Sequence, residues 1–569
     1  MAQVQIGHLS FTYAGAAAPV LDDVCLSLEA GGFYVLCGDT GSGKTTLLRL
    51  IRRVLAPAGD MTGEIRLNGL KDSAADIGFV GQDPGAGIVT GKVWQELAFG
   101  PESLGMQTED IRRRVSETAA WFGLEKEYKK ETDALSGGKK QLLCLAAAVV
   151  TQPKLLLLDE PTAQLDPIAA NAFLQSLGRL NREFGITVLL AEHRLEEVLP
   201  MADGLFALRN GRLIAAGPPQ TVAKELKTDP LFAGFPAAAR LWAALDGQND
   251  CPMQVREGKR FLSARLQGKQ ARFAPPPPPE HGETVLEARD VWLRYEKEAP
   301  DVLTGFSCRL YAGEIFCILG GNGAGKTTAL EVLAGIRRGY RGTLIFKGEK
   351  IRPGRQDTMY RKGLALLPQD VTAAFIKPTL RQDLEAQLLC GGAKKEDLSE
   401  AVREIADRFG LTALLERNPL DLSGGEKQKA AIAKLMLGDP TVLLLDEPTK
   451  GIDADGRNKL AALLKDLKSK GVSVLLVTHD AEFAARVADR AAMLFDGELL
   501  SEGPPASFFA DNCFFTTAAS RIAREQAGPA ILVEQIVSAV NAAAPLSSLS
   551  DTETCGGSPD GRKQKEPCL

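Results

Sequence analysis

The sequence is poor in histidine and gives its cysteines no regular spacing. Its 569 residues include four histidines, at positions 8, 193, 281 and 479, and ten cysteines that never occur as C-x-x-C. Zinc sites and disulfide frameworks depend on such spacings. The cysteine pattern therefore argues against both kinds of site and fits a protein of the reducing cytoplasm.

Long hydrophobic runs are also missing. No stretch approaches the roughly 18 apolar residues that a membrane-spanning helix needs, and the longest runs, "LCLAAAVV" and "VSVLLV", suit buried helices or strands. The first residues, "MAQVQIGHLSFTY", lack the basic and apolar segments of a signal peptide and have the pattern of a strand. We therefore expect any role at a membrane to depend on partner proteins.

Charge of one sign does not dominate the chain. The net charge is −5, and the apolar fraction of 45% and charged fraction of 24% are ordinary for a globular protein. This balance gives no electrostatic attraction to nucleic acid, so we expect no nucleic-acid partner. The length exceeds what one hydrophobic core can support and indicates about three or four folding units.

The chain does contain an internal repeat. "GDTGSGKTT" at position 38 returns as "GGNGAGKTT" at 320, "LSGGKKQ" at 135 as "LSGGEKQ" at 422, and "LLLLDEPTAQLD" at 155 as "VLLLDEPTKGID" at 442. Two of the four histidines, His193 and His479, occupy the same position in the repeat. The sequence therefore predicts two copies of one domain.

The segments outside the copies differ in composition. Between them lie a helical pattern, "FPAAARLWAAL", polar sequence and five prolines at 275–279, which we interpret as a stiff spacer. Near the C-terminus, "AILVEQIVSAV" predicts an amphipathic helix, and the polar end predicts disorder. We predict copy 1 at 1–222, a linker at 223–283, copy 2 at 284–509 and an extension at 510–569.

Each copy has the pattern of a phosphate-binding loop. An apolar strand pattern, "FYVLCG" or "IFCILG", runs into the glycines and a helical pattern follows. Glycines turn backbone N–H groups toward a phosphate, the lysine reaches the terminal phosphates and the threonine offers a hydroxyl to Mg²⁺. The candidate ATP ligands are Gly38, Gly41, Gly43, Lys44, Thr45, Thr46, Gly320, Gly323, Gly325, Lys326, Thr327 and Thr328.

A second strand in each copy ends in an acidic pair. "LLLLD" and "VLLLD" are continuous apolar runs, as expected of strands buried on both faces. Next to a phosphate-binding loop, Asp159 and Asp446 are candidates for holding Mg²⁺, usually through water. Glu160 and Glu447 are candidates for polarising the attacking water. These residues predict ATP hydrolysis with Mg²⁺ in both copies.

The "LSGG" stretches carry a specific resemblance. With them, both copies resemble the nucleotide-binding domains of ABC ATPases over nearly their whole length. The resemblance implies an α/β fold of two tandem P-loop domains, each with a RecA-like core, an antiparallel β subdomain and a helical signature subdomain. It also implies contacts of Ser136, Gly138, Ser423 and Gly425 with ATP held by the opposite copy.

The same resemblance implies roles for further residues. Gln82 and Gln369 match the Q-loop that touches Mg²⁺ and faces the membrane partner, and Tyr13 and Tyr295 match the aromatic residue that stacks on adenine. A strand tyrosine without that role is the alternative. Asp166 and Asp453 match the D-loop, and His193 and His479 match a switch histidine that senses the γ-phosphate and steadies the water.

Together these residues predict two head-to-tail sites, both able to hydrolyse ATP. One would combine Lys44, Gln82, Glu160 and His193 with Ser423, and the other would combine Lys326, Gln369, Glu447 and His479 with Ser136.

Three classes of ABC protein fit this organisation. Ribosome-associated proteins typically have "PTNHLD" and a charged helical linker, whereas this chain has "PTAQLD" and "PTKGID". Tandem sugar-import ATPases share the "GID", but their second phosphate-binding loop is usually altered. "QDP", "ELAFG", "EHRLEEV", "FPAAARL" and "FFADNCFFTTAASRIARE" resemble the fused ATPase of energy-coupling factor (ECF-type) importers.

The ECF resemblance implies specific partners. They are a transmembrane coupling subunit and small substrate-binding membrane proteins, with the ATPase at the cytoplasmic face of the membrane and without contact to the transported solute. The cargo would be a vitamin, a vitamin precursor such as thiamine or its hydroxymethylpyrimidine precursor, or a trace metal ion. One departure is Gly81, where the family usually has a bulky residue, and it puts contacts near Gln82 in doubt.

Overall fold

Copy 1 is built around a strand, loop and helix that the sequence predicts. The computed structural model describes residues 2–545 except 249, 268, 278–279, 353–356, 393 and 395. In this structure copy 1 consists of the following elements. Its strands are β1 (Ala2–Tyr13), β2 (Leu21–Glu29), β3 (Phe33–Gly38), β4 (Gly59–Leu67), β5 (Ile77–Val80), β6 (Leu155–Asp159), β7 (Thr187–Ala191), β8 (Gly204–Arg209) and β9 (Arg212–Gly217). Its helices are α1 (Lys44–Ile51), α2 (Pro84–Gly87), α3 (Val93–Ser103), α4 (Thr108–Trp121), α5 (Gly137–Val149), α6 (Pro167–Phe184), α7 (Leu195–Val198) and α8 (Pro219–Glu225).

The segment after copy 1 contributes α9 (Ala237–Ala244), α10 (Val255–Arg265) and β10 (Lys269–Gln270). Copy 2 has strands β11 (Thr284–Leu293), β12 (Leu303–Tyr311), β13 (Ile315–Leu319), β14 (Arg341–Phe346), β15 (Glu349–Lys350), β16 (Leu364–Leu367), β17 (Val442–Asp446), β18 (Ser473–Thr478), β19 (Arg490–Phe495) and β20 (Glu498–Gly503). Its helices are α11 (Lys326–Leu333), α12 (Asp357–Arg361), α13 (Leu380–Cys390), α14 (Leu398–Phe409), α15 (Gly424–Met436), α16 (Ala454–Ser469), α17 (Ala481–Val487) and α18 (Pro505–Asp511).

The chain then adds α19 (Ala518–Ala523), α20 (Val533–Asn541) and β21 (Ala544–Pro545). Short 3₁₀ segments are Arg53–Leu55, Thr132–Ala134, Leu199–Met201, Pro230–Gly234, Val371–Ala374, Thr412–Leu414 and Pro419–Asp421.

Both copies have the same sheet topology. The central sheets run in the orders β5-β6-β7-β3-β8-β9 and β16-β17-β18-β13-β19-β20, parallel except for the last strand. Antiparallel sheets, β2-β1-β4 and β12-β11-β14-β15, pack beside them. Every residue of β6 and β17 is buried, which confirms the prediction from their apolar runs. Because parallel strands point the same way, the acidic pairs and phosphate-binding loops meet at one edge of each central sheet.

The predicted linker and C-terminal extension form one helical unit. Leu241, Leu262, Ile522 and Ile536 belong to a single buried cluster that joins α9, α10, α19 and α20. β10 also pairs with β21. The sequence predicted a helix in each segment but not their association, in which the apolar faces of short helices from both segments bury one another.

The ends of the copies differ in detail from the sequence prediction. α8 and α18 run across the predicted boundaries after 222 and after 509. Pro275, Pro276 and Pro277 lie outside regular secondary structure, whereas the last two prolines of the run lie outside the described residues. The predicted disordered end, 546–569, also lies outside them. Over the part of the chain that is described, no helix combines the length and apolarity needed to cross a membrane.

Candidate active sites

The phosphate-binding loops have the same shape in both copies. Gly43 and Gly325, with φ of 98° and 95°, precede α1 and α11 in the left-handed conformation that favours glycine. Lys44 and Lys326 are buried, and their Nζ atoms donate at 3.0–3.1 Å to carbonyls at the start of each loop. A lysine ammonium and the free N–H groups of a helix N-terminus together favour a bound phosphate.

The predicted magnesium ligands lie beside each loop. The Thr45 hydroxyl donates to Asp159 Oδ1 at 3.0 Å, and Thr327 bonds the Asp446 side chain. Burial raises the pKa of Asp159, and burial raises the pKa of Asp446 to about 6. The buried Asp446 Oδ1 has no hydrogen-bond partner among the described residues. A hydroxyl next to a carboxylate with an unsatisfied oxygen fits Mg²⁺, which prefers oxygen ligands.

Each glutamate of the acidic pair contacts its histidine. Glu160 Oε1 lies 2.7 Å from His193 Nε2, and Glu447 Oε2 lies 2.8 Å from His479 Nδ1. Both glutamates have left-handed φ angles, 45° and 46°. Such angles are uncommon outside glycine and often mark functional sites. The repeat position shared by the two histidines therefore corresponds to a shared contact.

The surroundings keep these glutamates ionised. Burial alone would raise the pKa of Glu160, but the hydrogen bond from His193 and the charges of His193 and Lys44 lower it below its usual value. Burial would likewise raise the pKa of Glu447, but the hydrogen bond from His479 and the charge of Lys326 lower it. An ionised carboxylate next to the phosphate-binding lysine can accept a proton from a water molecule that attacks a phosphate.

The Q-loop residues differ between the copies. Gln82 Nε2 donates to Glu160 Oε2 at 3.2 Å. Gln369 is exposed, and within the described residues no hydrogen bond joins it to Glu447. The structure therefore brings one of the two predicted glutamines to its site.

The tyrosines predicted to stack on adenine lie next to the loops. The Tyr13 hydroxyl is 2.8 Å from Thr46 Oγ1, and the Tyr295 hydroxyl is 2.6 Å from Thr328 Oγ1. Both rings are partly exposed, and the Arg337 guanidinium lies 4.7 Å from the centre of the Tyr295 ring. Both tyrosines therefore stand where a base could contact them.

The signature serines begin α5 and α15. Ser423 forms a capping box with Glu426, and its hydroxyl lies 2.7 Å from Glu426 Oε2. Ser136 makes no side-chain cap, and the residue that matches Glu426 is Lys139, which pairs with Glu127 and cannot complete a capping box. Across the described ranges, no hydrogen bond joins Ser136 or Ser423 to the opposite phosphate-binding loop. Gly138 and Gly425 lie in the first turns of these helices.

The D-loop aspartates do cross between the copies. Asp453 Oδ2 accepts from the Thr40 N–H at 3.0 Å, and Asp166 Oδ2 accepts from the Asn322 N–H at 2.9 Å. Each aspartate also caps its own helix, α16 or α6, through Oδ1. The two phosphate-binding loops are thus each held by the other copy.

Sequence reasoning missed one cross-copy residue, Arg194. Its Nη2 lies 2.5 Å from His479 Nε2, and its Nη1 donates to the Leu165 carbonyl at 3.2 Å. The signal was present in the repeat. Arg194 follows His193 where Asp480 follows His479, so the matched positions carry opposite charges.

Comparison with known proteins decides the family. The model of the family described as "ABC transporter" matches residues 21–163 and 303–450. The chain belongs to the ABC transporter family. It is therefore a tandem P-loop ABC ATPase, the ATP-binding subunit of a transporter, and domains of this family bind ATP, normally with Mg²⁺.

Relatives from bacteria align with nearly the whole chain. A protein of Bacillus thuringiensis subsp. konkukian (strain 97-27), named as an ABC transporter ATP-binding protein, is 38% identical over 95% of this chain and 98% of its own. A relative from Clostridium tetani (strain Massachusetts / E88) is 31% identical over 75% of this chain and 95% of its own.

Among solved structures, cbiO1 from Clostridium perfringens, described as part of the ABC transporter complex cbiONQ, is 27% identical. The match covers 41% of this chain and 97% of the cbiO1 chain, with a TM-score of 0.36.

Proposed function

We propose that this ABC ATPase powers an ECF-type importer through two composite ATP sites. In the proposal, Lys44, Glu160 and His193 act with Ser423, and Lys326, Glu447 and His479 act with Ser136. Each glutamate accepts the proton of the attacking water, and the threonine and aspartate side chains assigned above hold Mg²⁺, with Gln82 in the copy 1 site. Residues 1–222 and 284–509 are the proposed ATPase domains.

The crossed D-loop contacts support the composite sites. Each aspartate joins the start of its own helix to the opposite phosphate-binding loop, so nucleotide bound in one loop is sensed by both copies. A cleft lined by Gly38, Asp39 and His193 from copy 1 and by Asp453 and Asp455 from copy 2 lies at this junction. This reciprocal geometry is the observation that carries the proposed two-site mechanism.

A half-exposed apolar surface supports docking of a membrane subunit. Trp94 and Phe99 on α3 are 39% and 47% exposed, and Val89 just before α3 is 69% exposed. Exposed large apolar side chains are candidates for an interaction surface when they lie in one segment. We name Val89, Trp94 and Phe99 the α3 surface.

A buried carboxylate fixes the turn that leads to the α3 surface. Glu96 Oε2 accepts from the Val89 N–H, the Thr90 N–H and the Thr90 hydroxyl at 2.8–3.1 Å. In copy 2, Asp383 accepts in the same way from Ile376 and Lys377. Since Gln82 on the same segment bonds Glu160, a short stretch of chain connects the hydrolytic carboxylate with the α3 surface.

The ECF assignment rests on the sequence phrases around these elements. "QDP" contains Gln82, "ELAFG" contains Glu96 and Phe99, and "EHRLEEV" contains His193. On this proposal the chain acts at the cytoplasmic face of the membrane and drives a coupling subunit and a small substrate-binding protein. The cargo is a vitamin, a vitamin precursor such as thiamine or hydroxymethylpyrimidine, or a trace metal ion.

Purification from the native membrane in mild detergent tests this proposal. We expect small integral membrane proteins to accompany the wild-type chain and to be lost from Phe99→Asp, with ATP hydrolysis by the isolated chain retained. Phe514→Asp is the matched control, because Phe514 is 86% exposed outside the α3 surface. Ribosomal subunits in place of membrane proteins, or equal losses from both variants, would overturn the importer assignment.

A further inference from the structure

The histidines of the two sites present different nitrogens to their glutamates. His193 faces Glu160 through Nε2, whereas His479 faces Glu447 through Nδ1. The other ring nitrogen of His479 contacts Arg194. The same residue type at the same repeat position is therefore held in two different orientations.

Hydrogen-bond chemistry fixes the ring hydrogen of His479. An arginine guanidinium can only donate, so Nε2 of His479 must accept from Arg194. The remaining hydrogen then lies on Nδ1, where it is donated to the Glu447 carboxylate. In copy 1 the carboxylate of Glu160 accepts from Nε2 of His193, so there Nε2 carries a hydrogen, whereas Nε2 of His479 must accept one.

Arg194 is itself anchored at the junction of the copies. Its second nitrogen donates to the carbonyl of Leu165, the residue before Asp166, whose carboxylate accepts from the phosphate-binding loop of copy 2. One arginine thus connects the copy 1 D-loop with the copy 2 histidine.

Copy 2 has an aspartate, and not an arginine, at the position that matches Arg194. The residue at the matching position, Asp480, bonds Arg457 Nη1 at 3.1 Å and caps α17. Burial would raise the pKa of Asp480, but the charge of Arg457, the hydrogen bond from the Phe483 N–H and the charge of Arg194 contribute to lowering it. Arg194 and Asp480 are therefore oppositely charged counterparts near one junction.

We propose that Arg194 of copy 1 is a positioning residue for ATP hydrolysis in copy 2, where it fixes the ring orientation and hydrogen position of His479. The proposal rests on the proposed hydrolytic roles of Glu160 and Glu447. It makes the two sites unequal: the copy 2 histidine is oriented by a hydrogen bond from the other copy, whereas among the described residues no hydrogen bond from copy 2 reaches the His193 ring.

Single-turnover ATP hydrolysis by the full chain tests the proposal when one site at a time is active. In a Glu160→Gln background, where only the copy 2 site is active, we expect Arg194→Ala to lower the rate at least tenfold, with ATP affinity changed less than threefold. Arg194→Lys should recover part of the rate, because lysine also donates to Nε2. In a Glu447→Gln background the loss from Arg194→Ala should be at least fivefold smaller.

Arg240→Ala is the matched control. Arg240 also reaches copy 2, through a 2.7 Å contact with Glu482, but it touches neither histidine. We expect it to affect both backgrounds equally. Selective loss of the copy 2 site from Arg240→Ala, or equal losses in both backgrounds from Arg194→Ala, would show that Arg194 acts only by holding the copies together and would overturn the proposal.

A spectroscopic readout separates positioning from support of the fold. With ¹⁵N-labelled histidine the chain has four imidazole rings, and His479→Gln assigns the relevant one. We expect the hydrogen of His479 on Nδ1 in the wild-type chain and a mixture in Arg194→Ala. An unchanged ring signal would contradict the proposal. If Glu160→Gln alone already abolishes hydrolysis, the two-site assignment fails instead, and the ring signal still decides the role of Arg194.

Discussion

The two copies share their chemistry and differ in what the other copy gives them. Both have a buried lysine, an ionised glutamate and a histidine in contact with it. Copy 1 brings Gln82 to its glutamate, whereas copy 2 receives Arg194 from the other copy. The signature helix of copy 2 begins with a capping box of Ser423 and Glu426, whereas that of copy 1 begins with Ser136 and Lys139. The two copies therefore share the lysine, glutamate and histidine proposed for hydrolysis and differ in the residues that contact them.

The helical unit formed by the linker and the extension also makes different contacts with the two copies. Glu196 and Glu482 occupy matched positions, three residues after the two histidines. Glu196 accepts from the Ala237 N–H at the start of α9 at 2.7 Å, and Glu482 pairs with Arg240 on the same helix. One helix thus joins the histidine segments of both copies.

Replacing both glutamates tests the shared chemistry and should have the largest effect. In Glu160→Gln/Glu447→Gln, an amide cannot accept the proton from water, so we expect hydrolysis to fall by about 10²–10⁴-fold. ATP should still bind and trap a closed form, because the lysines and phosphate-binding loops are intact. Steady-state ATPase assays and equilibrium ATP binding measure the two effects, and undiminished turnover would rule out the assignment of these residues.

The D-loop aspartates test whether support from the other copy is reciprocal. Asp453→Ala removes a charge-assisted bond to the Thr40 N–H and the cap of α16, and Asp166→Ala makes the equivalent change. We expect about tenfold slower single-turnover hydrolysis, mainly in copy 1 for Asp453→Ala and mainly in copy 2 for Asp166→Ala. If hydrolysis instead slowed mainly in the copy that carries the mutated aspartate, the two copies would not support each other reciprocally.

Replacing Glu196 and replacing Glu482 should change the free energy of unfolding in opposite directions at pH 8, and these changes should be the smallest of the predicted effects. Burial raises the pKa of Glu196 to about 7, so the folded state keeps the proton while the unfolded chain loses it above about 4.5. Protonated Glu196 therefore stabilises the folded state fully below pH 4.5, and this contribution is lost as the pH rises to 7. We expect Glu196→Gln to raise the free energy of unfolding by about 1 kcal/mol at pH 8 relative to its effect at pH 5.

Glu482→Gln is the matched control for this pH effect. It removes the ion pair with Arg240, so we expect a loss of roughly 0–1 kcal/mol at pH 8. Urea denaturation at pH 5 and pH 8 measures both variants. A pH dependence of stability that is the same in Glu196→Gln and in the wild-type chain would remove Glu196 as its source.

Neighbouring residues in the sequence predicted the groups proposed for hydrolysis. The residues that hold those groups in place depend on long-range packing. The left-handed glycines before Lys44 and Lys326 and the buried strands before Glu160 and Glu447 follow from neighbouring residues, so the sequence was sufficient. The contact of Arg194 with His479 depends on how two copies meet and on which ring nitrogen faces inward. α9 and α20 were predicted as helices, but their shared core depends on segments at opposite ends of copy 2.

The most direct test of the composite sites is single-turnover hydrolysis by Ser423→Phe in the two single-glutamine backgrounds. Phenylalanine at the start of α15 blocks contact with a phosphate held by the opposite loop. We predict a large loss of the hydrolysis rate in the Glu447→Gln background, where only the copy 1 site is active. In the Glu160→Gln background the loss should be much smaller. A loss confined to Glu160→Gln would mean that each copy uses its own signature serine, and it would contradict the head-to-tail arrangement.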